Sequence, residues 1–257
     1  MAGLSEASRA VLSRLEIVPV LDSTNRYLLA GAHAGWPGGA VCLAEQQTAG
    51  RGRQGRRWLT PFGASLALSL LWRFDRPPEA LSGLSLVTGI AVARALQKQR
   101  ISDVGLKWPN DLWWRERKLG GILLESGGGG ERFHVVAGIG VNVALPPQEG
   151  QQIDQPWVDL REITGQAVLD RSRWAAGLVD EVIRAFIRFQ AEGFSGFIGE
   201  WNRFDRVRGR RVRLLLPNGA VSGLARGVDE TGALLLEGAD GKLAPYLGGE
   251  ISLRLEA

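Results

Sequence analysis

Apolar and polar positions change period several times along the chain, and each change marks an element. Leu4, Val11, Leu12 and Leu15 recur at helical spacing, and Ile17 to Leu21 reads as a short strand. Ser23 or Thr24 then caps a helix running toward Ala34, with Asn25 in its first turn. Ala40 to Ala44 predicts a second strand and Ser65 to Trp72, with its alternating leucines, a third, so the segment between them connects strands. A helix over 79–99 follows, then a strand from Val104 to Lys107. Trp108-Pro109 ends that strand, because the residue before a proline is held extended or in a turn. Asp111 to Trp114, Lys118 to Glu125 and Phe133 to Val143 are three β-like runs separated by Arg115-Glu116-Arg117 and by Gly127 to Gly130, which predicts a meander.

Pro146 to Pro156 is a polar connector. From Leu169 to Gln190 the apolar stripe through Trp174, Leu178, Val182, Ala185 and Phe189 predicts a long amphipathic helix covering one face of the sheet. Beyond Val207, short β-like runs are punctuated by Asn218-Gly219, Thr231-Gly232 and Asp240-Gly241, the dipeptides of tight hairpins, so the tail is a small β-barrel or sandwich. The expected division is a domain of residues 1–205 and a second of 206–257. No internal repeat or low-complexity stretch interrupts either.

Composition narrows the class. The 257 residues are 45% hydrophobic, enough to bury the core of one large domain or of a large and a small one. The longest apolar stretch, Ala64 to Trp72, is far short of the roughly 18 residues that span a bilayer, and Met1 to Leu15 lacks the apolar core of a secretory signal. Cys42, the lone cysteine, excludes an internal disulfide framework and a cysteine-rich zinc site and suits a reducing cytoplasm. His33 and His134 are far apart in the chain and read as structural or exposed. A net charge of +4 favours an anionic partner, with nucleotide, nucleic acid and acidic protein surface all open.

The most informative segment is Gly50 to Arg57, which holds Gly50, Gly52, Gly55 and four arginines. Glycines allow positive φ and close approach to a ligand, and guanidinium forks fit carboxylates and phosphates. The segment lacks the Gly-Lys-Ser/Thr ending of a phosphate-binding P-loop, and Gly138-x-Gly140 has Val143 where the dinucleotide fingerprint wants a glycine. No Ser/His/Asp or Cys/His grouping suggests a covalent enzyme intermediate.

Three further segments accompany it: Asp22-Ser23-Thr24-Asn25, Lys107-Trp108-Pro109-Asn110-Asp111, and Lys118-Leu119-Gly120-Gly121 with Gly138-Ile139-Gly140-Val141-Asn142. In this order, with Gly248-Gly249-Glu250-Ile251-Ser252-Leu253-Arg254 near the end, the chain resembles the bacterial biotin protein ligases over nearly its whole length. The resemblance implies an α/β (α+β) fold: a mixed β-sheet catalytic domain flanked by helices, class II synthetase-like, with a small C-terminal SH3-like β-barrel. It implies ATP-dependent activation of biotin to biotinyl-5′-AMP and transfer to a lysine of the biotin carboxyl carrier protein of acetyl-CoA carboxylase, with Mg2+ as cofactor. Carried over by position, Ser23, Thr24, Asn25 and Gln47 resemble the polar contacts to the ureido ring, and Arg51, Gly52 and Arg53 line the tail and carboxylate of biotin. Gly121 and Gly138 resemble backbone positions packed on the ligand. Arg53, Arg56, Trp58, Asn110, Asp111, Lys118 and Asn142 resemble the ATP and adenylate positions, with Trp58 on the adenine and Asp111 toward magnesium. Arg51, Arg53 and Lys118 are implied as the catalytic cations, Lys118 also touching biotin, and the Gly/Arg loop as a lid over the adenylate.

Alternatives stay open at this point. Lys107 and Asp111 read equally well as a structural ion pair. Arg206, Arg208, Arg210, Arg211 and Arg213 suit a solvated strand face, a contact to nucleotide or acidic carrier, or nucleic acid. Dual-function relatives carry a winged helix-turn-helix before the Ser-Thr-Asn motif, and here Met1 to Asp22 precede it, so specific DNA binding is not expected. Lipoate ligase and a basic nucleic-acid-binding module are the competing readings, and a monomer and a homodimer fit equally.

Overall fold

The computed structural model describes residues 3–75, 78–129, 133–249 and 251–256. Gly130 of the tetraglycine run and Glu250 of the tail motif lie outside the described residues. Seven strands form the larger sheet: β1 (Arg14–Leu21), β2 (Ala40–Gln47), β3 (Ser65–Trp72), β4 (Val104–Lys107), β5 (Asp111–Trp114), β6 (Arg117–Gly127) and β7 (His134–Asn142). They lie in the order β1-β2-β3-β7-β6-β5-β4. Only β1 and β2 are parallel, so the sheet is mixed, and β4 to β7 are the expected meander.

Side chains of successive strand residues point to opposite faces, and the helices follow that division. The helices are α1 (Glu6–Val11), α2 (Thr24–His33), α3 (Leu84–Lys98), α4 (Pro147–Gly150), α5 (Leu160–Thr164), α6 (Arg171–Glu192) and α7 (Ile198–Phe204). Leu66, Leu68 and Leu70 of β3 join the main core with Ile90 and Leu96 of α3 and Leu178, Val182 and Phe189 of α6. On the other face, Leu28 and Ala32 of α2 pack on Ala40, Cys42, Leu71 and Val136. That second cluster is small, and it leaves the β6–β7 end of the α2 face open to the cavity described below.

Several elements differ from the sequence reading. The first helix stops at Val11, because Arg14 to Val18 pair in register with Ala40 to Ala44, and Leu15 consequently sits on an edge strand, 39% exposed. The helix over 79–99 divides into a 3-10 turn, Pro78–Leu81, and α3, with Gly83 between them at φ 80°. A Cβ at Gly83 would lie 2.5 Å from the Phe194 ring, so both conformation and space demand glycine there. α5 and α7 are too short to print a helical period. The polar connector is ordered, with Lys118 N donating to Pro156 O and Val158 N to Lys118 O, at 2.9 and 3.0 Å. The two histidines meet edge to face, ring centroids 5.6 Å apart, although 101 positions separate them in the chain.

After α7 the chain runs beside β4, where Arg206 N donates to Leu106 O at 3.0 Å. The smaller sheet is antiparallel: β8 (Arg211–Leu216), β9 (Gly219–Val228), β10 (Leu234–Glu237), β11 (Leu243–Tyr246) and β12 (Ser252–Leu255), in the order β11-β10-β9-β8-β12. Its turns fall at the three predicted dipeptides, with Gly232 at φ 80° and Gly241 at φ 74°. In the arginine run, Arg211 and Arg213 flank buried Val212 on the outer face of β8. Arg210 reaches back to Glu116 in the turn between β5 and β6 at 2.5 Å, and Arg206 donates to Val104 O.

Candidate functional site

Every candidate residue from the four motifs lines one cavity of about 430 Å3 on the α2 face of the larger sheet. Its floor exists because β7 places small residues there. A Cβ added to Gly138 would sit 2.3 Å from Asn25 Oδ1, and one added to Gly140 would sit 2.5 Å from the Trp58 indole. Gly121 of β6 continues that floor beneath Trp58 and Lys118.

One end is neutral and rich in both donors and acceptors. Ser23 is the N-cap of α2, its hydroxyl accepting from Arg26 N, and the cap fixes Thr24 and Asn25 in the first turn. Gln47 Oε1 accepts from Thr24 N at 2.8 Å and Thr24 Oγ1 at 3.1 Å. Ser69 Oγ donates to Asn25 Oδ1 at 2.6 Å, and Asn25 Nδ2 donates to Glu125 at 2.8 Å. Glu125 also binds Arg51 at 3.0 Å, so the base of the Gly/Arg loop is tied to the same group that orients Asn25. Ser69 and Glu125 carry no motif, and only the strand pairing brings them to α2.

The Gly/Arg loop is an ordered hairpin: Trp58 N donates to Gly50 O at 2.9 Å and Gly52 N to Arg56 O at 2.7 Å. Of its glycines only Gly55 has positive φ (70°), and Gln54 shares that conformation at 57°. Gly50 is required instead by space, since a Cβ would meet Trp58 O at 2.5 Å, and Gly52 has an ordinary backbone. Arg53 donates to Asn110 Oδ1 at 3.0 Å, to Ile251 O at 3.0 Å, and to the carbonyls of Gly248 and Gly249. Arg56 reaches Ser252. The loop thus bridges the two sheets over the cavity, and burial lowers the Arg53 guanidinium from its usual range, with Asp111 opposing.

The other end is cationic. Lys118 binds Asp111 at 2.7 Å, and its ammonium lies 5.7 Å from the Trp58 ring centre. Asn142 donates to Val158 O at 3.1 Å, holding β7 to the ordered connector. Lys107 is 5% exposed, and desolvation pushes it down to about 8, with Asp111 opposing and Arg254, Lys118 and Arg56 adding. The ion pair considered between Lys107 and Asp111 is replaced by Lys118–Asp111, and Lys107 instead lies 5.0 Å from the Trp113 ring centre. The strands pair Lys107 with Asp111 and Asp111 with Gly121, and the bulge after Leu112 gives the carboxylate to Lys118.

The family model described as the biotin/lipoate A/B protein ligase family matches residues 17–142, and the biotin protein ligase C-terminal domain matches residues 208–254. The biotin--[acetyl-CoA-carboxylase] ligase of Mycobacterium tuberculosis is 36% identical over 94% of this chain and 90% of its own length. The chain belongs to the biotin protein ligases. The bifunctional ligase/repressor BirA of Escherichia coli is 44% identical to this ligase, over 93% of this chain and 73% of BirA. The biotin protein ligase of Aquifex aeolicus, solved in complex with biotin and ATP, superposes with a TM-score of 0.80 at 30% identity, covering 95% of this chain and all of that one.

The ligase cavity also takes in residues that the motif reading passed over: Lys107, set aside as a structural partner; Gln152, Ile153, Asp154, Gln155 and Trp157 of the connector; and Arg254 of β12. Arg254 stands in the quoted tail motif, a usable signal; the connector residues had none. Among the described residues lining the cavity, Asp111 and Asp154 are the carboxylates, and no cluster of three or more metal-ligating side chains occurs among the described residues. That donor set fits magnesium arriving on a nucleotide, which needs one or two protein carboxylates, rather than an ion caged by protein.

Proposed function

We propose that this ligase activates biotin with ATP to biotinyl-5′-AMP and transfers it to a lysine of a biotin carboxyl carrier domain, releasing pyrophosphate and then AMP. The observation that carries the reading is the polarity of the cavity that the motif residues line. Its neutral end, Ser23, Thr24, Asn25 and Gln47, offers both donors and acceptors, as a ureido group with two donors and one acceptor requires. Its cationic end holds Arg53, Arg56 and Lys118, as the approach of a carboxylate to a triphosphate requires.

We assign Arg51, Gly52 and Arg53 to the tail and carboxylate of biotin, with Gly121 and Gly138 beneath it. Lys118, Asn110, Asp111 and Asn142 face the nucleotide, and the Trp58 indole offers a stacking surface for adenine. In the first step the biotin carboxylate attacks the α-phosphorus. Lys118 neutralises the meeting anions, and the Gly/Arg lid excludes water from the anhydride until the acceptor amine arrives. Asp111 would hold a magnesium ion carried in by the nucleotide, and the ion would supply charge neutralisation on the phosphates. The proposed division gives residues 1–205 the chemistry and 206–257 the barrel, and the reaction belongs in the cytoplasm with its carrier. No described helix is long and apolar enough to cross a membrane. Biotin-dependent exchange of labelled pyrophosphate into ATP, followed by labelling of a carrier domain, tests the reading. Exchange that requires lipoate instead, or none at all, would refute it.

A further inference from the structure

Lys107 ends β4 almost wholly buried, and no carboxylate among the described residues lies within ion-pairing distance of it. Its cross-strand neighbour Asp111 gives its oxygen to Lys118. The remaining charges that act on it, Arg254, Lys118 and Arg56, are all cations. The Trp113 ring at 5.0 Å offsets only part of this, since a cation–π contact contributes about 0.5–2 kcal/mol, while an unpaired buried charge costs several. Lysine is rarely buried without a partner, and here it lines the ligand cavity beside Asp111 and Arg254. No described residue supplies the missing anion, and the cavity that Lys107 lines is where a ligand would supply it.

The substrate set carries two anionic groups, the carboxylate of biotin and the triphosphate, and they divide between the available cations. Arg51, at the neutral end, is already compensated by Glu125. Lys107 stands at the opposite end, where the larger sheet meets β12 of the barrel. We propose that Lys107 is the counter-cation for the β- and γ-phosphates of the nucleotide, the part that leaves as pyrophosphate. This rests on the adenylation reading above. In that step a carboxylate oxygen–phosphorus bond forms at the α-phosphorus, the α–β anhydride bond breaks, and its electron pair departs on the β-phosphate oxygen. No proton need move, so a fixed ammonium is what the departing charge requires. Lys107 touches substrate and is uncompensated until substrate arrives, so the empty protein is less stable because of it.

That conflict between stability and binding makes the test specific. Lys107→Met and Lys107→Arg are compared with the parent chain by calorimetric titration with inorganic pyrophosphate and magnesium, by titration with biotin, and by thermal melting without ligand. For Lys107→Met the expected result is pyrophosphate affinity lower by about tenfold or more, biotin affinity within about twofold, and a melting temperature equal or higher. Lys107→Arg should recover pyrophosphate affinity to within about threefold. Unchanged pyrophosphate affinity in Lys107→Met, or no pyrophosphate binding by the parent chain, overturns the proposal. A melting temperature several degrees lower does so too, because it would show a structural ammonium. Pyrophosphate binding that depends on Lys107 in a chain showing no biotin-dependent exchange would leave this site standing and sink the ligase reaction instead.

Discussion

Replacing Arg53 by glycine should open the lid while leaving the cavity walls in place. Arg53 joins three parts of the molecule: the loop itself, Asn110 in the turn between β4 and β5, and the carbonyls of Gly248, Gly249 and Ile251 before β12. One Nη carries two protons and cannot serve three carbonyls at full strength, so the four contacts amount to two or three good charge-assisted bonds. Such bonds contribute about 1.5–3 kcal/mol each when buried, less at a half-exposed site, and they share one guanidinium, so they do not add. A net loss of about 2–4 kcal/mol from the closed state, at tenfold per 1.4 kcal/mol, raises the open-to-closed ratio roughly 30- to 700-fold. Arg56 and the hairpin hydrogen bonds keep the loop ordered, so the loss falls on closure rather than on folding. The assay is release of preformed biotinyl-5′-AMP after rapid dilution, paired with stray biotinylation of lysines on a bystander protein. Release should accelerate by that factor, and bystander labelling should appear. Arg53→Lys should behave like the glycine variant to within a few fold, because an ammonium cannot span Asn110 and the barrel together. A release rate within twofold of the parent, with labelling confined to the carrier, would refute the lid.

Lys118→Ala removes the cation facing Asp111 and should cost about 2–4 kcal/mol of adenylation transition-state stabilisation, read as a fall in kcat for pyrophosphate exchange; unchanged turnover would end its assigned role. Gly138→Ala puts a methyl 2.3 Å from Asn25 Oδ1. Displacing that side chain costs about 1–3 kcal/mol, so the dissociation constant for biotin should rise from several-fold to over a hundredfold, and an unaltered constant by calorimetry would remove Asn25 from the biotin site. Stability should carry the signature of Lys107, which burial pushes down from the ordinary lysine value of 10.5 to about 8. Between those limits the unfolded chain holds the proton and the folded chain does not, so stability rises with pH there, by about 3 kcal/mol in all, and below pH 8 the burial cost is borne in full. The urea midpoint of the parent minus that of Lys107→Met, followed from pH 7.5 to 10.5, should rise with pH; a flat difference would show that Lys107 is not perturbed.

Where local chemistry decides a feature, the chain can be read directly. Period-two runs give β3, β6 and β7, the 3.6-residue stripe gives α6, and the turn dipeptides place the barrel hairpins, because each depends on neighbours within a few residues. The motif segments likewise announce their chemistry, since guanidinium forks, a cap followed by an amide, and closely spaced glycines are properties of a few adjacent residues. Their order identifies the family before any coordinate is known. Long-range contact settles the remainder. The first helix ends at Val11 because β1 must reach β2, and Gly50 is needed for the Trp58 carbonyl rather than for its own φ. Ser69, Glu125 and the connector residues join the cavity only through strand order.

The choice of ion pair shows the division most clearly. Four positions separate Lys107 from Asp111 in the chain, and seven separate Asp111 from Lys118, so proximity in sequence favours the wrong partner. The β5–β6 register and its bulge reverse that preference. A carboxylate offers its oxygens to whichever cation the backbone brings within reach, and the backbone position is set by the sum of all strand pairings in the sheet. Composition and spacing therefore specify which charges the site contains, while folding alone specifies which of them cancel and which are left for a ligand.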